Sequence, residues 1–144
     1  MSQTIVDAIA KQLDALTAWT YSPTADMPSG AVPITVGGMP AKDPAGNGAA
    51  VCLTTYGSGP EPASKNGWEY PRMQVRVRHA NALEAMALDR VAYDALQELS
   101  GDLPGSTWHL TDCYALQSDA QPLGRDDGSR WEYVRNYQLT AEAS

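Results

Sequence analysis

The stretch Tyr70–Arg78 (YPRMQVRVR) constrains this chain more than any other. Met73, Val75 and Val77 alternate with Arg72, Gln74, Arg76 and Arg78, and a period of two puts the first set on one face of a strand and the second on the other. One face is apolar and the other strongly polar, so the strand belongs to a sheet whose apolar face is covered and whose polar face is not.

Two segments have the period of a covering helix. Between Thr4 and Ala18, residues Ile5, Ile9, Leu13 and Leu16 fall at steps of three or four, Thr4 and Asp7 have the spacing of a helix cap, and Pro23 bars continuation. Asn81 with Glu84 caps a second helix, on which Ala85, Leu88, Val91, Ala92, Ala95, Leu96 and Leu99 share a face; Gly101 and Pro104 mark its end. Further strands are predicted at Val32–Val36, Ala49–Tyr56, Thr107–Gln117 and Arg130–Ala141. The last two are joined through Gln121, Pro122, Leu123, Gly124 and the turn Asp126, Asp127, Gly128, a hairpin signal. Trp131, Tyr133, Tyr137 and Leu139 share a face of the final strand, which Arg135 interrupts. The order helix, three strands, helix, two strands predicts an α+β fold with a mainly antiparallel sheet and two helices packed on one face. The Pro- and Gly-rich regions 21–48 and 57–67 are expected to be long loops.

With 144 residues, of which 43% are apolar, the chain can build one core and is expected to be a single domain over 1–144. No apolar run is long enough to cross a bilayer, and the N-terminus carries acids where a secretory signal needs bases, so the expectation is a soluble, cytosolic product with no membrane partner. A net charge of −7 opposes binding to phosphate backbones, and no sequence-specific nucleic-acid partner is expected. The lysines (Lys11, Lys42, Lys65) precede residue 70 and the arginines all follow it, which points to ordered polar networks in the second half. Cys52 and Cys113 lie in strand-like stretches and read as small buried hydrophobes.

No constellation of nucleophile, base and stabiliser is visible, so no enzyme activity, catalytic residue, metal or cofactor is expected. His79 and His109 stand apart. GSGPEPASK lacks the Gly directly before Lys and the Ser or Thr after it that a phosphate loop needs. The acidic turn at Asp126 has no later acidic ligands for calcium, as Ser129, Arg130 and Trp131 follow. A remote alternative, a small hydrolase or ligand-binding domain using His109, Asp112 and Cys113, suffers because adjacent strand residues point to opposite faces. Arg72, Arg76 and Arg78 have two readings: an exposed face whose arginines pair with acids on neighbouring strands, or a face that packs on another subunit.

The runs VCLTTYGSGPEP, WEYPRMQVRVRHANALEAMALDRVAYDALQELSG and SDAQPLGRDDGSRWEYVRNYQLTAE together resemble the minor capsid and tail terminator family of long-tailed bacteriophages. The pieces that carry the resemblance are Pro71, the strand Gln74–Arg78, the helix Ala85–Gly101, the turn Pro122–Asp127 and the aromatic strand Trp131–Leu139; region 21–48 has no place in it. The resemblance implies a virion protein of the tail or neck, made in the host bacterial cytoplasm. It would form a homohexameric ring on the tail tube protein, end tail polymerisation and meet the head–tail connector proteins, with room for DNA to pass through the ring. A head-completion or neck adaptor protein is the close alternative. A ring needs a heterologous interface. For it, Arg72 and Arg76 of one subunit are expected to approach Asp126, Asp127 or Glu132 of the next, with Trp68 and Tyr70 as apolar anchors.

Overall fold

The computed structural model describes residues 4–23, 27–58 and 68–143, at 57 and 58 the backbone alone. The element order is α1 (Ile5–Leu16), β1 (Thr20–Tyr21), β2 (Pro33–Val36), β3 (Ala50–Ser58), β4 (Trp68–Glu69), β5 (Pro71–His79), α2 (Ala82–Leu96), β6 (Gly101–Asp102), β7 (Trp108–Ala115), β8 (Gln121–Arg125) and β9 (Trp131–Ala143). Both predicted caps form. The Thr4 hydroxyl accepts from the Asp7 amide at 3.3 Å and the Asn81 side chain from the Glu84 amide at 3.1 Å, each satisfying an amide that the helix leaves without a partner.

The strands form one sheet in the order β1-β2-β3-β5-β9-β7-β6. β9, the longest at 13 residues, pairs with β5 and β4 along one edge and with β8 and β7 along the other. The sheet is mixed, which corrects the expectation of a mainly antiparallel one: β1 with β2, and β2 with β3, run parallel. A parallel pair needs a long crossover. Here the Pro- and Gly-rich segment after Val36 supplies it without a helix, so the usual helical sign of such a connection is missing from the sequence.

Met73, Val75 and Val77 are fully buried, as their parity predicts. Opposite them lie Leu53 and Val51 on β3 and Tyr137, Arg135 and Tyr133 on β9. Ile9 and Leu13 of α1 and Ala85, Ala92 and Leu96 of α2 complete the same core, with Leu88 and Leu99 packed at its margin. The α2 face differs from expectation in one respect: Val91 is exposed while Asp89 is buried. The helix is turned so that Asp89 meets Arg135. It also ends without a glycine in the left-handed position; Glu98 (φ 66°) makes that turn, its amide bonding to the Cys113 carbonyl, and Gly101 already belongs to β6. Cys52 and Cys113 are free and buried.

Part of region 21–48 is a built crossover instead of a plain loop. The buried Arg78 guanidinium donates to the carbonyls of Gly48 (2.7 Å), Lys42 (3.4 Å) and Pro40, and the Asp43 carboxylate accepts from the amides of Gly46 and Gly48. Gly48 sits at φ 80°, and a Cβ there would lie 2.9 Å from Arg130 Cδ, so only glycine fits. Of the predicted loop 57–67, Gly57 and Ser58 continue β3 and residues 59–67 lie outside the described residues.

Candidate subunit interface

Register places one row of side chains across the sheet face opposite the helices. Tyr56 of β3 stands opposite Arg72 of β5, Arg72 opposite Gln138 of β9, and Gln138 opposite Tyr114 of β7. Arg72 Nε donates to Gln138 Oε1 at 3.1 Å, and Gln138 Nε2 donates to the carbonyls of Tyr70 and Pro71 at 3.2 and 3.3 Å. The amide therefore holds the guanidinium without neutralising it. Tyr56, Tyr70 and Tyr114 remain 37%, 37% and 41% exposed around it. Burial pushes the Tyr56 phenol above its ordinary value, and the Arg72 charge offsets part of that.

The other residues expected at an interface are largely occupied within their own subunit. Arg76 Nε lies 3.1 Å from Glu132 Oε1; the contact is ionic, and the N–H is not aligned for a hydrogen bond. Asp126 closes the β8–β9 turn: Oδ1 accepts from the amides of Gly128 (2.9 Å) and Arg130 (2.8 Å), and Oδ2 from Arg130 Nε (2.8 Å). Burial raises the Asp126 carboxyl, but these bonds and the Arg130 charge outweigh it and hold the group below its ordinary value. The left-handed residue of this turn is Ser129 (φ 60°), not Gly128. Asp127 projects at the exposed tip. Trp68 pairs through β4 with Glu142, near Tyr70 and Arg72. Trp68 thus lies toward the C-terminal end of β9, Arg72 opposite its middle, and Asp126 and Asp127 just before its N-terminal end, where Glu132 also lies and Arg76 stands close by.

Sequence reasoning noted Arg135 as an interruption but missed its partner. Arg135 Nη2 lies 2.7 Å from Asp89 Oδ2 and Nε 3.2 Å from Oδ1, a two-pronged buried pair, and Nη1 donates to the carbonyls of Gln117 and Ser118. Burial lowers the Arg135 pKa, yet the Asp89 hydrogen bonds and charge outweigh that and hold it above its ordinary value. The Tyr93 ring sits against both Arg135 (4.6 Å to the ring centre) and Arg90 (5.0 Å). An acid at position 89, in step with Ala85, Ala92 and Leu96, was the available signal.

The remaining candidates for chemistry do not converge. His109 Nδ1 is 2.8 Å from the exposed Asp102, and His79 Nδ1 accepts from the Asn81 amide. Burial, with the Asp112 charge adding, pushes the Cys113 thiol up to about 12, which leaves it a poor nucleophile. Asp112 is exposed while Cys113 is buried.

Fold and surface together define a small α+β structural domain, a mixed sheet covered on one face by two helices and bearing an ordered polar network on the other. The family model for bacteriophage tail terminator proteins matches residues 6–143, and the chain belongs to that family. A solved structure described as the virion of native gene transfer agent (GTA) particle shares the fold, with a TM-score of 0.54 at 20% identity over 76% of this chain and 78% of that one. A second solved chain, 14% identical over 99% of this chain and 97% of its own length, gives a TM-score of 0.48. No curated protein sequence matches the chain.

Proposed function

We propose that this virion structural protein caps the tail tube as a hexameric ring, ends tail polymerisation and joins the tail to the head connector. The observation that carries the reading is membership of the tail terminator family over nearly the whole chain. The surface supports it, since an exposed Arg72 and an exposed Asp127 lie apart on one subunit, as the two different patches of a head-to-tail ring must. The partners in this reading are further copies of the chain, the tail tube protein and the head–tail connector, with no catalytic step.

Electron microscopy of particles made without this protein tests it. Tails of uncontrolled length beside unattached heads are expected. Normal tails with leaking heads would overturn termination in favour of a neck adaptor.

A further inference from the structure

Among the residues expected at a subunit contact, internal pairing separates those already engaged from those still available. Glu132 is nearly buried against Arg76, and Asp126 is held by three bonds inside its own turn. Arg72 and Asp127 take part in no ion pair among the described residues. They cannot pair within one chain. Trp131, beside the turn that carries Asp127, and Gln138, beside Arg72, are separated by seven steps of extended strand, about 23 Å at about 3.3 Å per residue.

Apolar character is distributed in the same way. β8 lies along β9 with most of its residues exposed, and Leu123 on it is 48% exposed. Across the middle of β9, Tyr56 stands next to Arg72 and Tyr114 next to Gln138, both tyrosines exposed. A hairpin end offering Leu123 and Asp127 complements a shallow face offering two tyrosines and one uncompensated guanidinium, a composition typical of interface centres.

We propose that the β8–β9 hairpin end of one copy docks on the Tyr56–Arg72–Gln138–Tyr114 row of the next, with Asp127 against Arg72 and Leu123 between the tyrosines. The occupant is a second copy of this chain, and the inference rests on the ring reading above. Because the two patches differ and lie far apart on each subunit, every copy has one of each free for a neighbour, so the contact propagates head to tail until rotation closes it.

A variant with both Arg72→Cys and Asp127→Cys tests this, treated at high protein concentration with a bis-maleimide spanning less than half the distance between the two positions. Cys52 and Cys113 are buried, so the unaltered protein serves as the unreactive control. A ladder of chain multiples ending at six is expected from the double variant, with nothing beyond dimers from either single variant. Circular dichroism of all three should match the unaltered protein. If glutaraldehyde fixes both the unaltered protein and the double-cysteine variant into multimers while the bis-maleimide gives no ladder from the variant, the docking assignment is overturned and the ring reading stands; multimers from the unaltered protein alone would show that the substituted pair holds the contact and would support the assignment. If glutaraldehyde also yields only monomer, self-association fails and both fall.

Discussion

Arg135 and Asp89 show how a single pair can set the rotation of a helix. Removing either partner leaves the other charge buried without compensation, and Arg135→Ala or Asp89→Ala is expected to cost about 3–5 kcal/mol in denaturant unfolding. Replacing both with Met and Leu should be close to neutral, because desolvating two ions consumes most of what their attraction returns. A double variant as unstable as the single ones would show that the pair also serves packing. Tyr137 offers a contrast at close range. Its hydroxyl is buried with no hydrogen-bond partner among the described residues, and burial foremost, with the Asp89 charge adding, raises its pKa. Tyr137→Phe removes an unsatisfied group and keeps the ring, so its melting temperature should equal or exceed that of the parent. Val75→Asp, in the same core, places a lone charge where exposure is 0% and should prevent folding, read as loss of the cooperative thermal transition.

Among the elements, the β8–β9 turn depends on one carboxylate. Asp126 has its pKa depressed in the folded chain, so its contribution is complete above the ordinary carboxylate pKa of about 3.9 and is lost as pH falls through the lower folded value. Protection of the Gly128 and Arg130 amides, measured against an unstructured amide at the same pH, should therefore fall on acidification, and Asp126→Ala should show the lost protection already at neutral pH. Exchange in the variant that stays slow at neutral pH would mean the turn holds itself through its backbone. The elements that could be read in advance are those specified by local chemistry: the two caps, the parity of β5, and the strands β2, β3, β7 and β9. The strands β1, β4 and β6 have two residues each and exist only because longer neighbours offer an edge, so no window of sequence contains them. β8 falls where the sequence predicts only a connection; it contains Pro122 and Gly124, which an edge strand tolerates. Parallel pairing of β2 and β3 was hidden by a crossover without a helix. At the surface, the polar face and its arginines were legible, whereas the division of acids into engaged and available ones depends on distances between residues remote in sequence.

For the whole molecule, the two arginines predicted to act together should separate experimentally. Arg76 lies beside the nearly buried Glu132, so Arg76→Glu sets two carboxylates against each other on a partly covered face. Repulsion there is desolvated, and the variant is expected to melt earlier whether or not it assembles. Arg72 is exposed and among the described residues bonds only to Gln138, so Arg72→Glu should leave the melting curve nearly unchanged. If Arg72 meets Asp127 of a neighbour, the same substitution sets like charges together at every contact in the ring. A single exposed pair contributes about 0–1 kcal/mol, but the contact recurs around the ring, and loss at each repeat compounds. Complementation of particles lacking this protein then discriminates. Arg72→Glu should fold normally and fail to restore joined tails, and adding Asp127→Arg to it should restore them because each reversed charge again finds its opposite. Restoration by Arg72→Glu alone would mean that Arg72 serves its own subunit, and a double variant as defective as the single one would place the acidic partner somewhere other than Asp127.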